Sequence, residues 1–338
     1  MRAWELRGGF GIENVAAAER PEPRPGPGEV LVGVRAASLN YRDLLIVKGL
    51  YNPRLKLPRV LLSDGAGQVL EVGPGVTRFQ PGQRVTGCFF QRWSAGPIDA
   101  QTARSALGGE IDGVLAEQVV LREEGLVPTP AHLSDAEAAC LPCAALTAWN
   151  ALVEGGLRPG QAVLLLGTGG VSTFGLQLAA AAGARAIVTS RSAAKLERAR
   201  ALGAAETIDT SATPEWDKRV LELTGGEGVD HVVEVGGAGT LARSLKAARM
   251  GGTVHQIGVL AGGAGEVNLF PLIMKGVTLR GVFVGSRAMF EDMNRFLTAR
   301  QALRPLIDRR FPAAAIQNAL RALERAEHQG KLVLELGS

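Results

Sequence analysis

The chain has 338 residues, of which 46% are hydrophobic and 21% charged. This composition indicates a folded protein of about two domains and excludes a disordered chain. The formal charge is only +4, its basic residues are scattered and the chain has three cysteines, which argues against nucleic-acid binding and against a disulfide framework. The polar start "MRAWELRGGFGIENV" and the lack of a long apolar run predict a cytoplasmic protein.

The first part of the chain has the pattern of short strands and turns. Residues 29–40, "EVLVGVRAASLN", follow the proline-rich stretch "RPEPRPGPGE". The stretch "DGAGQVLEVGPGVTRFQPGQRVTG" has further strands separated by "GPG" and "PGQ" turns. This pattern predicts a mostly β domain.

The pattern changes near Leu126. Ser134 and Glu137 have the spacing of a capping box at the start of an Ala-rich helix. Strands then alternate with helices, which indicates a doubly wound parallel sheet. The predicted strands cover residues 163–166, 186–189, 206–208, 229–235, 253–257 and 278–284. The predicted helices begin near Ser172 and Ala193 and include "GTLARSLKAARMGG", and the tail ends with two helices and the strand "KLVLEL".

The motif "GTGGVS" lies between an apolar strand and a helix, the context in which a glycine turn binds a dinucleotide. Gly167 would form the sharp turn and Gly169 would let the backbone approach a pyrophosphate. Ser172 stands where the fingerprint has its third glycine. The alternative is a glycine-rich turn that binds no ligand. The predicted contacts in this turn are Gly167, Thr168, Gly169, Gly170 and Val171.

The end of the next predicted strand reads Ser190-Arg191, and no carboxylate follows before Glu197. NAD sites use an acid at this point, whereas an arginine accommodates the 2′-phosphate of NADP. Arg191 and Lys195 would attract that phosphate. This favours NADP(H) as the cofactor. The alternative is that both cations merely lie on a surface helix.

On these motifs the chain resembles the medium-chain dehydrogenase/reductase superfamily, above all its zinc-free quinone oxidoreductase and enoyl reductase branch and the alcohol dehydrogenase-like relatives of that branch. The resemblance also rests on "PGPGEVLVGVRAASLNYRDLLIVKGLY", "EVGPGVTRFQPGQRV", "LPCAALTAWNAL", "GVDHVVEVGG" and "GKLVLEL". It implies an α/β protein with a GroES-like, mostly β catalytic domain at residues 1–125 and 286–338. A Rossmann NADP-binding domain would span residues 126–285, and homodimers would form through the Rossmann edge strand "VTLRGVFVG".

The resemblance also bears on zinc, which needs three protein ligands in a catalytic site. Zinc-bearing relatives have their first ligand near Leu39 and Asn40 and their second in a Gly-His-Glu motif, where this chain has "SLNYRD" and "SDGAG". Only Cys143 matches a ligand position, so we expect no metal. Cys140 and Cys143 form a CxxC that we interpret as buried, inert thiols.

The resemblance places three candidate catalytic residues in one segment: Asn40, Tyr41 and Tyr51. Tyr51 could donate a proton or a hydrogen bond to a substrate oxygen, and the alternative is an aromatic anchor of the loop. The four histidines are dispersed in the sequence, and His255 has the setting of an interior residue. Further cofactor contacts implied by the family pattern are Val235, Gly236, Ile257, Gly258, Phe283, Val284, Ser286, Arg287 and Lys331.

Three functions are compatible with these features. The first is a zinc-independent, NADPH-dependent reductase of a quinone or of an activated C=C bond in an α,β-unsaturated carbonyl. The second is a metal-free, NADP-dependent alcohol dehydrogenase or carbonyl reductase. The third is a protein that binds NADPH as a sensed ligand or has a moonlighting binding role. We expect a small-molecule substrate and no nucleic-acid or membrane partner.

Overall fold

The computed structural model describes residues 1–337. Its strands are β1 Arg2–Leu6, β2 Val15–Glu19, β3 Glu29–Ser38, β4 Arg59–Val60, β5 Asp64–Val72, β6 Arg84–Gly87, β7 Gln118–Arg122, β8 Leu126–Pro128, β9 Ala162–Leu166, β10 Arg185–Ser190, β11 Glu206–Asp209, β12 Val229–Glu234, β13 Ala248–Gln256, β14 Thr278–Gly281, β15 Ile307–Pro312 and β16 Lys331–Glu335. Its helices are α1 Tyr41–Val47, α2 Ala100–Ala103, α3 Asp135–Ala138, α4 Leu146–Leu152, α5 Gly170–Ala181, α6 Ala193–Ala201, α7 Trp216–Leu223, α8 Ala238–Ala247, α9 Phe270–Lys275, α10 Arg287–Ala299 and α11 Ile316–Glu324. No helix within residues 1–337 combines the length and the apolar character that a bilayer crossing requires.

Both ends of the chain form one compact unit, residues 1–146 and 284–337, which we call the β-rich unit. Its main sheet has the order β15-β16-β3-β5-β6-β8, with β7 also paired to β3, and a smaller sheet has the order β2-β1-β4. Strand β3 is central because it pairs with β5, β7 and β16. At its carboxyl end, Ser38 pairs with Asp64 of β5 on one side and with Val333 of β16 on the other. This register brings together residues that are far apart in the sequence.

Thr147–Phe283 form the second compact unit, which we call the Rossmann unit. Its six strands have the order β11-β10-β9-β12-β13-β14, and every pairing is parallel. Buried apolar residues form one core cluster that includes Trp216 and Leu245 and another that includes Leu176 and Ala199. The strand order reverses at β9, which has β10 on one side and β12 on the other. The predicted fold class, a mostly β unit plus a doubly wound parallel sheet, is confirmed.

The structure differs from the sequence analysis in where the first unit ends. The sequence predicts that boundary after residue 125, whereas the β-rich unit continues to Leu146. The reason is that β8, which follows directly, pairs with β6. Asp135 in α3 then accepts hydrogen bonds from Arg84 of β6, at 2.9 and 2.7 Å.

The Ala-rich segment is also less regular than predicted. The capping box is present, since Ser134 N–H donates to Glu137 Oε2 at 2.8 Å and Glu137 N–H donates to Ser134 Oγ at 3.3 Å. However, α3 ends at Ala138, and a π-helical turn, Leu141–Ala145, precedes α4. Pro142 has no N–H for a helical bond, and Cys143 N–H donates instead to the Asp64 carboxylate at 3.1 Å.

Candidate functional site

The turn after β9 has the geometry of a phosphate-binding loop. Gly167 has φ +74°, and a Cβ at Gly169 would meet no atom within 4 Å, so the backbone there faces open space. Helix α5 begins at Gly170, and its first turn includes Val171. First-turn N–H groups have no acceptor inside their helix and carry a partial positive charge, which suits a pyrophosphate. The residues present, including Thr168, therefore fit a dinucleotide.

In the dinucleotide-binding motif, the third glycine lets the helix pack closely against the strand. In this chain the close contact lies further along α5. Ser172, at the expected position, is buried, and its Oγ donates to Leu166 O at 2.7 Å. Gly175 provides the close approach, since a Cβ there would lie 2.8 Å from Leu165 Cδ2. The serine is thus tolerated because its hydroxyl is paired and because the tight contact lies one turn later.

The carboxyl end of β10 holds the predicted 2′-phosphate residues. Ser190 Oγ accepts a hydrogen bond from Ser192 N–H at 3.2 Å, and Arg191 is exposed. Ser192 caps α6 and accepts from the backbone N–H of Lys195 at 3.5 Å. The structure therefore groups Ser190, Arg191 and Lys195 at one strand end. Asp209 of β11, which pairs with Ser190, is the neighbouring acid that the sequence analysis missed.

The ends of β12 and β13 lie side by side and carry four further predicted residues. Ile257 N–H donates to Glu234 O at 2.8 Å, and a Cβ at Gly258 would lie 2.4 Å from Val235 O. These contacts bring Val235, Gly236, Ile257 and Gly258 to the carboxyl edge of the parallel sheet, where such folds bind ligands.

Glu234 organises this edge and was not a predicted site residue. It is fully buried at the end of β12. Its Oε1 accepts from the N–H groups of Gly236 and Gly237, at 2.7 and 3.0 Å, and from the hydroxyl of Thr240 at 2.6 Å. Its Oε2 accepts from the hydroxyl of Ser244. The signal in the sequence was an acid that directly precedes "VGG" at a strand end.

Not all predicted cofactor residues belong to the Rossmann unit. Phe283 is its last residue, and its side chain is 42% exposed. Val284, Ser286, Arg287 and Lys331 belong to the β-rich unit. Ser286 is buried and caps α10 by accepting from Met289 N–H at 3.3 Å, and Arg287 Nε lies 3.6 Å from Glu291.

The three predicted catalytic residues lie on and beside α1 in the β-rich unit. Asn40 is the N-cap of α1, and Asp43 Oδ2 accepts from Asn40 N–H at 2.8 Å. Tyr41 begins α1 and is 37% exposed, and Tyr51 is 40% exposed. The Arg42 guanidinium lies 5.1 Å from the centroid of the Tyr51 ring. The segment thus presents two accessible phenols beside a buried polar network.

A buried ion pair adjoins Asn40. Lys331 Nζ donates to Asn40 Oδ1 at 2.5 Å and lies 3.8 Å from Asp64 Oδ2. Burial raises the pKa of the Asp64 carboxyl, while the Lys331 charge opposes that rise. Burial also raises the pKa of Asp43 to about 6, against the effect of the Arg42 charge. Lys331 and Asp64 were not expected to meet from the sequence.

The donor set around Asp64 does not fit zinc. A catalytic zinc takes three protein ligands, with any thiol deprotonated. Burial and the Asp64 charge raise the pKa of the Cys143 thiol. Asn40 and Asp64 face an ammonium group. No group of three His, Cys, Asp or Glu side chains suited to a metal ion occurs in the described residues, 1–337.

The other two thiols are also unreactive in character. Burial raises the pKa of both Cys88 and Cys140 to about 12. Cys140 Sγ donates to Ala136 O at 3.2 Å. These thiols pack as small apolar side chains, which agrees with the prediction of a buried thiol for Cys140. The prediction is wrong for the burial of Cys143, which is only half-buried.

The histidines are less dispersed in the fold than in the sequence. His231 of β12 and His255 of β13 stack with ring centroids 5.3 Å apart, and His231 Nδ1 lies 3.0 Å from His255 Nε2. Both are buried in the Rossmann unit. Two side chains do not supply a metal site, and the pair is interior, as predicted for His255.

Two family models match the chain. The model described as "Alcohol dehydrogenase GroES-like domain" matches residues 26–131. The model described as "Zinc-binding dehydrogenase" matches residues 170–299. The first match falls in the β-rich unit, and most of the second falls in the Rossmann unit.

Curated relatives match over nearly the whole chain. A zinc-type alcohol dehydrogenase-like protein of Schizosaccharomyces pombe is 44% identical over 96% of this chain and 96% of its own length. An acryloyl-coenzyme A reductase of Metallosphaera sedula is 33% identical over 94% of this chain and 95% of its own length.

Solved structures match equally well. A putative alcohol dehydrogenase from Sinorhizobium meliloti 1021 has a TM-score of 0.91 at 42% identity, covering 99% of this chain and 98% of its own. An NAD-dependent alcohol dehydrogenase has a TM-score of 0.91 at 38% identity over 100% of both chains. The 2-octenoyl-CoA carboxylase reductase CinF, in complex with NADP and 2-octenoyl-CoA, has a TM-score of 0.87 at 26% identity, covering 99% of this chain and 87% of its own.

Proposed function

The chain belongs to the medium-chain dehydrogenase/reductase family of zinc-type alcohol dehydrogenase-like oxidoreductases, and from this premise we propose that it reduces an activated C=C bond with NADPH and without zinc. The acceptor is an α,β-unsaturated carbonyl compound, with an enoyl thioester as the first candidate. The observation that carries this proposal is the network of Asn40, Asp64 and Lys331, which offers polar groups and a fixed positive charge where zinc-bearing relatives have metal ligands.

The residues of the Rossmann unit would hold the cofactor. The first turn of α5 would bind the pyrophosphate, and Ser190, Arg191 and Lys195 would bind the 2′-phosphate. The side-by-side ends of β12 and β13 would support the ribose and nicotinamide. When bound, NADPH supplies a hydride. The structural relatives include both an NAD-dependent alcohol dehydrogenase and an enzyme in complex with NADP, so the preference for NADPH rests on the residues at the end of β10.

The β-rich unit would handle the acceptor oxygen and the proton. Hydride addition at the β-carbon of an enone or enoyl thioester moves an electron pair onto the carbonyl oxygen, and a proton then adds to the α-carbon. The Tyr51 hydroxyl can donate a hydrogen bond to that oxygen or supply the proton. Its exposure leaves the phenol accessible to a substrate, and the cation of Arg42 over its ring holds the ring in place.

Reduction of a simple carbonyl is the second candidate. It is favoured by the names of similar proteins, because structures at 42% and 38% identity are called alcohol dehydrogenases. Such a reaction moves hydride to the carbonyl carbon itself, with no conjugated system to accept the charge. Polarising an isolated carbonyl without a Lewis acid is harder than stabilising an enolate, so we place this candidate second.

One acceptor with two reducible sites separates the candidates. We would supply NADPH with trans-2-octenal, and in parallel with crotonyl-CoA, and identify the products by mass spectrometry. Saturated octanal and butyryl-CoA are expected, whereas 2-octen-1-ol would show attack at the carbonyl and contradict the proposal. Tyr51→Phe should lower kcat by roughly 100-fold or more, as expected for loss of a general acid, at an unchanged NADPH Kd. A quinone assay tests the remaining acceptor class.

A further inference from the structure

Lys331 places an ammonium group inside the β-rich unit. The residue begins β16 and is 3% exposed. Its Nζ donates to Leu39 O at 2.7 Å and to Asn40 Oδ1 at 2.5 Å, and lies 3.8 Å from Asp64 Oδ2. A buried charge is costly unless it is paired and hydrogen-bonded. Here both conditions are met, so the ammonium is an integral part of this site.

The acid partner of Lys331 is equally enclosed. Asp64 is fully buried, and its Oδ1 accepts from Ser63 Oγ at 2.7 Å. Its Oδ2 accepts from Cys143 N–H at 3.1 Å and faces the ammonium. The other charges near this pair are Asp43, which is buried beside Asn40, and Arg42, which faces Asp43. Lys331 therefore balances carboxylates that no solvent counter-ion reaches.

The partners of Lys331 coincide with the positions where the chain departs from the zinc motifs. Leu39 and Asn40 lie where zinc-bearing relatives have the first ligand, and Asp64 lies in the second motif. Cys143, at the third position, binds Asp64 through its backbone. We propose that the Lys331 ammonium serves as an internal cation that takes the place of a metal ion in this unit and positions Asn40.

The ammonium also decides which way the Asn40 amide points. An ammonium can only donate hydrogen bonds, so the oxygen of the amide must face Nζ and the NH2 group must face away from it. Asn40 Nδ2 is buried on the side of the Asp64 carboxylate, whose pKa it helps to lower, and no acceptor within residues 1–337 makes a well-formed hydrogen bond to it. This leaves a fixed donor for an anionic oxygen that forms during the reaction. The positioning of Asn40 rests on the proposed reductase function, whereas the internal cation does not.

Metal binding tests the internal cation directly. Chelator-treated protein would be incubated with excess Zn2+, passed through a desalting column and analysed by mass spectrometry for metal. We expect less than 0.1 zinc per chain, and activity unchanged by chelator. One zinc per chain, with activity lost on chelation, would overturn the proposal.

A stability cycle tests the charge pairing. Lys331→Met leaves Asp64 buried without its cation and should lower the unfolding temperature by several degrees, while Lys331→Met with Asp64→Asn should recover most of that loss. Lys275→Met is the control, because Lys275 Nζ likewise donates two hydrogen bonds, here both to backbone oxygens, and forms no ion pair with a carboxylate of residues 1–337. Losses that simply add in the double variant would overturn the pairing.

A kinetic cycle tests the positioning of Asn40. We expect Lys331→Met and Asn40→Ala each to reduce kcat by about 10-fold or more, and the pair together to cost no more than Asn40→Ala alone. The NADPH Kd should stay constant, because the Lys331 ammonium binds Leu39, Asn40 and Asp64 instead of making the cofactor contact that the resemblance implies. Multiplicative losses, full activity of Lys331→Met or a weakened NADPH Kd would overturn the role. If Lys331→Met does not fold, the Asp64→Asn double variant serves in its place. If the unmodified protein reduces no acceptor, the proposed function fails, and the metal and stability results still decide the internal cation.

Discussion

Arg191 is the residue on which the cofactor preference depends most. It is exposed at the end of β10, beside Ser190 and one turn before Lys195. Arg191→Asp replaces an attraction for the 2′-phosphate by a repulsion. A charge-assisted hydrogen bond contributes about 1.5–3 kcal/mol, so the NADPH Kd should rise by roughly 10- to 100-fold while the NADH Kd changes little. Fluorescence titration with both cofactors measures this.

Arg200→Asp is the control for Arg191→Asp. Arg200 lies in the last turn of α6, the helix that follows Arg191, and pairs with Glu197 on the surface. The substitution makes the same change of charge away from the strand end. Equal losses of NADPH and NADH affinity in Arg191→Asp, or a similar NADPH effect in Arg200→Asp, would contradict a specific contact with the 2′-phosphate.

Individual site residues were predictable where the relevant partners are close in the sequence. Gly167, Gly169 and the Ser190-Arg191 pair follow from one strand–turn–helix–strand segment. The Lys331–Asn40 contact joins residues 291 positions apart, and it forms because β16 and β5 flank the end of β3. No spacing rule indicates such a contact. Glu234 was missed for another reason. An acid before "VGG" at a strand end marks its position, but the sequence does not show the backbone N–H groups and hydroxyls that it binds.

Strands β12 and β13 carry a pair of histidines in which the donor and the acceptor of each hydrogen bond can be assigned. Gln161 Oε1 can only accept, so His231 Nε2, at 3.3 Å, must carry a proton. His231 Nδ1 is then an acceptor in the neutral ring, and His255 Nε2 must donate to it at 3.0 Å. His255 Nδ1 is then unprotonated, and it has no hydrogen-bond partner in the described part of the chain. A proton added to His231 would therefore set two donors against each other.

This pair predicts an acid-sensitive Rossmann unit. Burial lowers the pKa of His255 from 6.5 to about 3 and also lowers the pKa of His231. Below pH 6.5 the histidines of the unfolded chain bind protons, whereas those of the folded chain stay neutral. The free energy of unfolding therefore falls as the pH drops from 6.5 towards 3. His255 contributes a slope of about 1.4 kcal/mol per pH unit in this window, and His231 acts in the same direction. Asp43 has the opposite sign, because its raised pKa removes stability as the pH rises from 3.8 to 6.

The contribution of the pair is isolated by substitution. In His255→Gln, the slope of unfolding free energy against pH between 6 and 4 should decrease by about 1.4 kcal/mol per pH unit, as measured by urea unfolding. Val254→Ala, on the same strand and also buried, should destabilise the protein with no change of slope. An unchanged slope in His255→Gln would show that the buried ring titrates normally.

Element positions were predictable to within a few residues where hydrophobic pattern and turn signals agree. The predicted strand at 186–189 is β10, Arg185–Ser190, and the helix near Ala193 is α6. By contrast, β13 begins at Ala248, within the predicted helix "GTLARSLKAARMGG". The local sequence pattern favours a helix there, but the chain forms a strand from Ala248 because Ala248 pairs with Val229 of β12. The prediction of a regular helix in the Ala-rich segment was wrong for a similar reason, because the Cys143 N–H donates to Asp64 instead of to a helical carbonyl.

At the scale of the whole molecule, one surface of the Rossmann unit stands out as apolar. Strand β14 is the last strand in the sheet order, and α9 precedes it. Phe270, Ile273 and Met274 of α9 are 71%, 71% and 70% exposed, and Leu279 of β14 is 42% exposed. Neighbouring large apolar side chains with such exposure indicate an interaction surface. A free sheet edge also offers unpaired backbone groups to another strand.

We propose that a second copy of the chain covers this surface by antiparallel pairing of two β14 strands, as the resemblance implies. An isologous contact places each α9 against the same patch of its partner, so a single substitution acts twice. Ile273→Lys with Leu279→Lys should therefore convert a homodimer into a monomer, at an expected loss of several kcal/mol from burying charge without a partner. Light scattering after size exclusion measures the mass. Leu50→Asp is the control, because Leu50 is 68% exposed but lies in the β-rich unit. If the unmodified chain is a monomer at micromolar concentration, the apolar surface must serve another partner, and the edge-strand dimer is excluded.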